Sequence, residues 1–209
     1  MRRLFPEPAD VEVDELLEGF PPDGLYFALN MVVSADGRAT LAGRTEGLGG
    51  AADHAMFHAL RERVDCVMAG AGTVRVEGYG RLIRNPEARA RRVQRGLATD
   101  PVMAVVSRSG VVPVQGGVNG DEPTALIDRL RSEHGVRSIL CEGGPTLNAS
   151  LFGAGLVDEL FLTVSPQLLG GGDPLTLVRG PALDPPVGLD LVWLAEGGGD
   201  LLFRWRIRR

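Results

Sequence analysis

Along this chain, apolar and polar positions fall into blocks whose character changes at glycines. Leu25–Val33, LYFALNMVV, is apolar except at Asn30, the pattern of a strand covered on both faces. After the loop SADGRAT, Gly50–Asp65 repeats Ala52, Met56, Ala59 and Leu60 on one side, with Asp53 in the first turn, which predicts a helix. CVMAG (Cys66–Gly70) predicts a short strand, and AGTVRVEGYGRL a glycine turn into a brief helix. Asn85–Thr99 is rich in arginine and follows neither period, so it reads as a surface excursion of open role. PVMAVVS from Pro101 predicts another buried strand, and DEPTALIDRLRSEHG a helix that opens with acids and Pro123 and closes on Gly135.

Strand and helix then alternate. RSILCEGG, PTLNASLFGAG and VDELFLTVSP predict strand, helix and strand, the βαβ units of a mainly parallel sheet. DLVWLAE and DLLFRWRIRR flank three glycines and predict an antiparallel hairpin at a sheet edge. Gly170–Gly188 reads as a loop within the domain. The expected architecture is a single α/β domain over residues 1–209: a mixed, mainly parallel sheet between two helix layers, with the hairpin at its end.

Composition narrows the chemistry. The 209 residues contain no lysine, so all 22 basic residues are arginine, and both a Schiff-base lysine and a P-loop are excluded. Net charge is −5, and the arginine clusters EARARRVQR and RWRIRR lack interleaved aromatics or an overall basic field, so no nucleic-acid partner is expected. No apolar run approaches the roughly 20 residues of a membrane span, and MRRLFPEPAD lacks an apolar signal core; a cytoplasmic protein is expected. Cys66 and Cys141 each sit in an apolar run, as buried free thiols do. His54 and His58 share helix spacing but have no third ligand nearby, so no metal site is expected.

In an open α/β sheet, ligands bind beyond the carboxyl ends of the strands. Three loops there have suitable chemistry: Gly70, Ala71, Gly72 and Thr73; Ser107 and Arg108; and Glu142, Gly143, Gly144, Pro145 and Thr146. Glycines allow a phosphate close to the backbone, and helix N-termini favour its charge. Arg75 stands where GxGxxG needs its third glycine, which argues against a Rossmann domain. Ser107 and Arg108 could hydrogen-bond a ribose 2′-phosphate and so select NADPH; an ordinary surface turn is the alternative.

MVVSADGRAT, LRERVDCVMAGAGTVRVEGYG and ILCEGGPTLNASLFGAGLVDELFLTVSPQLLGGG resemble the reductase (C-terminal) domain of bifunctional riboflavin-biosynthesis enzymes, within the dihydrofolate-reductase-like superfamily. The resemblance implies a three-layer α/β/α NADPH-dependent reductase of a pyrimidine or pteridine ring, dimeric by family habit. It places Ala39, Thr73, Glu77 and Gly143 through Leu147 at the cofactor, and Glu142, Ser34, Asp36 and Arg84 on the substrate side, with the SADG loop folding over the nicotinamide. AADHAMFHAL resembles the first active-site helix of dihydrofolate reductases, with Asp53 holding the substrate ring and Phe57 against it; a simple dipole role for Asp53 is the alternative.

Two positions depart from the family. Asn30 replaces a lysine and His54 an arginine among members acting on the phosphoribosylamino-pyrimidine, and the zinc signature of the paired deaminase domain is absent from the sequence. The substrate therefore stays open between that pyrimidine and a dihydropteridine such as dihydrofolate, and an idle NADPH-binding module is the rival class. The expected roles are Asp53 orienting the ring and Glu142 positioning or protonating the acceptor through water. Trp193, Phe203 and Trp205 are expected either at a two-fold interface or in the core.

Overall fold

In the computed structural model, residues 1–108, 114, 117–172 and 175–209 are described. Ten strands form one sheet, and its parallel core follows the apolar runs. β3 (Tyr26–Ser34) lies between β7 (Ser138–Cys141) and β8 (Glu159–Ser165), and β4 (Cys66–Gly70) between β7 and β5 (Val102–Val106), all parallel. β6 (Gly117–Gly120) adds a parallel edge strand beyond β5.

The other end of the sheet corrects the expected topology. β9 (Leu189–Gly197) and β10 (Asp200–Ile207) do form the hairpin, with β10 antiparallel to β8. They are not the edge, because β1 (Arg2–Phe5) pairs with β9 and β2 (Ala9–Asp10) with β1. These N-terminal strands and GVNG are too short, and β1 too exposed, to leave a periodic apolar signal.

Helices cover both faces. α2 (Ala51–Arg61) and α3 (Ala71–Glu77) pack with α1 (Val13–Leu16) and α4 (Pro86–Gln94) over one core that includes Leu16, Met56, Leu60, Val74 and Ala88. α5 (Pro123–His134) and α6 (Pro145–Gly153) pack over the other, with Ile127, Leu130, Leu151 and Phe152. β7 serves both: Leu140 enters the first core, Ile139 and Cys141 the second. Cys66 and Cys141 are free and fully buried. Trp193 also belongs to the core, where its indole N–H donates to the Leu16 carbonyl at 2.9 Å. Phe203 and Trp205 stack at 5.6 Å and stay half-buried. No described helix is long and apolar enough to cross a membrane.

The arginine-rich segment is not an irregular excursion. Asn85 caps α4 by accepting from the amides of Glu87 and Ala88, and Pro86 opens its first turn. Arg92, fully buried, donates to the carbonyls of Arg61, Val64 and Ala98, while Arg91 binds Glu62 through two hydrogen bonds. α4 is thereby fastened to the end of α2.

Candidate active site

A cleft of about 840 Å³ opens beside β3 and α2. β3 contributes Asn30, buried between β7 and β8; α2 contributes Asp53, His54, Phe57, His58 and Arg61 from one face. Thr73 and Glu77 enter from α3, Glu142 from the end of β7, and Tyr79 through Asn85 form the far wall with Ala88 of α4. The side chains of Arg44 and Arg84 border this cleft without an acidic partner among the described residues.

Asp53 sits in the first turn of α2, buried, with Thr163 of β8 beside it. Burial holds its pKa above the usual carboxylate range; Thr163 and His54 pull it down, and nearby Asp200 pushes it up. Asp200 in turn accepts from the Gly50 amide at 2.8 Å and so tethers the start of the helix. The lack of a side chain at Gly49 matters here, because a Cβ would lie 2.1 Å from the Asp53 carboxylate.

Glu142 is engaged differently from the sequence expectation. Arg61 donates to it from Nε and Nη2 at 2.6 and 2.7 Å, and the Tyr79 hydroxyl donates at 2.6 Å. Arg61 also lies over the Phe57 ring, 4.0 Å from its centroid, and 5.5 Å from that of Tyr79. Burial lowers the Arg61 pKa, but Glu142 and Tyr79 outweigh it and leave the group above its usual value. Neither Arg61 nor Tyr79 was singled out from the sequence; the i,i+4 spacing of Phe57 and Arg61 on one helix face was the available signal. His58, beside them, has its pKa depressed by burial and by Arg61 and His54, and no group of metal ligands forms among the described residues.

The glycine loops meet at the mouths of β4 and β7. The Gly70 amide donates to the Gly143 carbonyl at 2.7 Å, and a Cβ on Gly144 would lie 2.9 Å from the Thr73 hydroxyl oxygen. Gly143 has φ +87°, a conformation suited to glycine. α3 and α6 start without side-chain caps, whereas α4 and α5 are capped by Asn85 and Glu122. Ala71, Gly72, Pro145, Thr146 and Leu147 stand in those first turns. Ser107 ends beside them in the sheet, its hydroxyl buried without a hydrogen-bond partner among the described residues, and Arg108 is exposed; residues 109–113 of that loop lie outside the described residues.

Three expected contacts, those of Ser34, Asp36 and Ala39, are spent on structure. The Ser34 hydroxyl donates to Asp36 at 2.5 Å, and Asp36 accepts from the amides of Leu169 and Gly170. Ser34 and these amides hold the Asp36 carboxyl down at about 2. The pair pins the SADG loop to the segment after β8 instead of lining the cleft. Ala39 is buried, with its amide on the Leu175 carbonyl, and Glu77 accepts from the Thr45 amide at 2.9 Å, fixing the loop that carries Arg44. Sequence cannot distinguish a carboxylate kept for a ligand from one consumed by a loop amide.

Fold and site together define an α/β domain with paired glycine loops at the ends of parallel strands and a buried carboxyl in the adjoining cleft. The chain belongs to the RibD C-terminal domain family, whose model matches residues 26–203. It is 27% identical over 220 residues to the 2,5-diamino-6-ribosylamino-4(3H)-pyrimidinone 5′-phosphate reductase of Methanothermobacter thermautotrophicus, covering 88% of this chain and 98% of that one. It is 31% identical over 153 residues to the riboflavin biosynthesis protein RibD of Mycobacterium tuberculosis, covering 69% of this chain and 42% of that protein. A pyrimidine reductase-like protein from Corynebacterium diphtheriae has the same fold, with a TM-score of 0.79 at 19% identity over 95% of this chain and 100% of that one.

Proposed function

We propose that this chain is an NADPH-dependent reductase of a ribosylamino-pyrimidine phosphate, the substrate class named for its relative from Methanothermobacter thermautotrophicus. The observation that carries the reading is the continuity of the two uncapped glycine loops with the Asp53 cleft, through Thr73.

The residues present fit a dinucleotide. The amides at the starts of α3 and α6 face the mouths of adjacent strands, Gly144 leaves room beside Thr73, and the buried Ser107 hydroxyl lacks a partner among the described residues, next to the exposed Arg108. Gly70 through Thr73 and Gly143 through Leu147 would hold the pyrophosphate, and Ser107 and Arg108 the 2′-phosphate. A bound NADPH supplies the hydride.

The chain's own residues prepare the acceptor. Phe57 and the Tyr79 wall confine a flat ring, and Asn30 offers an amide to its edge. Asp53, its pKa raised by burial, hydrogen-bonds the ring nitrogens and donates a proton where negative charge develops. Arg44 and Arg84 offer charge for the substrate phosphate at the cleft mouth, compensating for Asn30 and His54 in place of the family's lysine and arginine. A dihydropteridine is the second reading, favoured by the buried Asp53–Thr163 pair, which suits a ring with adjacent N–H donors. The half-buried face bearing Phe203 and Trp205 supports a homodimer, and the absence of a membrane-spanning helix among those described is compatible with a cytoplasmic enzyme.

Fluorescence titration with NADPH and NADH, followed by single-turnover absorbance with each substrate, tests the assignment. Tighter NADPH binding, reduced by Arg108→Ala, and NADPH oxidation only with the phosphorylated pyrimidine are expected. Oxidation only with the dihydropteridine selects the second reading, and binding without turnover leaves an idle module.

A further inference from the structure

Two helices of this chain, α1 and α2, carry a carboxyl three residues after the cap, and the two carboxyls are used differently. In α1, Glu15 accepts from the amide of the capping residue Glu12 at 2.9 Å, the reciprocal arrangement that closes a helix start. In α2 the cap is Gly50, which has no side chain to offer, and Asp53 stands where Glu15 stands in α1. The Asp53 carboxyl lies directly against this turn, since a Cβ on Gly49 would be 2.1 Å from its Oδ2. Yet the Gly50 amide donates to Asp200 Oδ2 at 2.8 Å, and no backbone amide donates to Asp53 among the described residues.

Asp200 comes from the start of β10, 150 residues away in sequence. It is buried, stands outside the cleft lining and forms no ion pair among the described residues. Close packing brings it there. A Cβ on Gly197 would lie 2.6 Å from that of Ala52 in the first turn of α2, and one on Gly50 would come nearest the Asp200 carboxyl, at 2.9 Å. An apolar residue at 200 would fill the core without burying a second acid near Asp53; what the carboxyl adds is an acceptor for one amide. Accepting needs only an oxygen lone pair, so the contact holds whichever charge Asp200 carries.

We propose, on the reductase reading above, that Asp200 is a positioning residue: by taking the cap amide of α2 it releases Asp53 from closing its own helix and leaves that carboxyl facing the cleft for a substrate ring. Without Asp200, Asp53 turns back to the Gly50 amide as Glu15 does in α1, and the cleft loses it. The capping role that the sequence position of Asp53 allows is performed from another strand.

Amide hydrogen exchange at Gly50, read by nuclear magnetic resonance on the full chain without substrate, follows which carboxyl holds it. Protection is expected in the wild type and in Asp53→Ala, where Asp200 holds the amide, and in Asp200→Ala, where Asp53 takes over. It should fall by about tenfold or more only in the double variant Asp200→Ala/Asp53→Ala. Asp200→Ala should lower kcat/KM by about tenfold or more, keep NADPH Kd within about twofold, and add nothing to the kinetic loss of Asp53→Ala. Asp200→Asn, which keeps an oxygen for the amide, should recover most of the activity. Gly50→Ala, whose methyl displaces the Asp200 carboxyl, should reproduce the kinetic loss and carries the test if Asp200→Ala does not fold. Lost protection in Asp200→Ala alone, wild-type kcat/KM in that variant, or kinetic losses that add in the double variant overturn the proposal. The expected exchange pattern with no wild-type turnover on any substrate overturns the reductase reading and leaves the capping role of Asp200 established.

Discussion

The Gly70 amide and the Gly143 carbonyl are joined at 2.7 Å, so the two glycine loops form one surface instead of two facing lips. A Cβ at Gly143 would meet Met31 Sδ at 2.9 Å in a left-handed backbone, whereas one at Gly144 would meet only the end of the Thr73 side chain. Gly143→Ala should therefore cost about 1–3 kcal/mol of stability as well as cofactor affinity. Gly144→Ala should leave the melting temperature nearly unchanged while weakening NADPH binding by about tenfold, through the displaced Thr73. Calorimetry and fluorescence titration of both variants separate the two effects.

Asp53 couples stability to activity. Its pKa is raised by folding, so the folded chain holds this proton more tightly than the unfolded chain, and the ionised group destabilises the fold. That penalty is present above the raised value and is relieved as pH falls through it toward the unfolded value of 3.8. Asp53→Asn should melt at a higher temperature than wild type at pH 7, with the difference shrinking as pH falls toward 4, and should lower kcat by about 100-fold. Thermal melts across pH and steady-state assays check both arms.

Arg92 is fully buried and holds three backbone carbonyls, two of them at the end of α2. Arg92→Met removes those donors; even with relief of the guanidinium's own burial, a net loss of about 2–3 kcal/mol is expected. For a chain of this size that is roughly 4–12 °C in Tm, measurable by calorimetry. Because α4 and α2 both line the cleft, substrate KM should rise as well.

Phe203 and Trp205 stack on β10 and stay half-buried. Phe203→Glu should convert the proposed dimer to monomer in sedimentation velocity without unfolding the chain, since its neighbours Leu202 and Arg204 keep the inward face of β10 intact.

The parallel core of the sheet was legible because YFALNMVV, CVMAG and SILC are largely buried on both faces and carry nearly continuous apolar runs. α4 escaped that reading because Arg92 occupies the buried position one turn after Ala88, where periodicity looks for an apolar side chain. The capping sequence Asn-Pro-Glu at 85–87 was the readable signal, since it depends on local amides and not on hydrophobicity. Asp53 could be placed from its position on a helix face, but Arg61 could not be tied to Glu142, 81 residues away in sequence, by any local pattern.

Sequence alone determined the strand and helix alternation, the glycine loops at strand ends, and the lack of lysine chemistry, because backbone conformation and side-chain type act over a few residues. Tertiary structure decided which carboxylates remain available. Asp36 and Glu142 are occupied by loop amides or by Arg61 and Tyr79, Glu77 accepts the Thr45 amide yet still lines the cleft, and Asp53 lies there without a cation bound to it among the described residues. Hydrogen-bond partners and desolvation arise only when distant segments meet, and they set the charge that each acid carries.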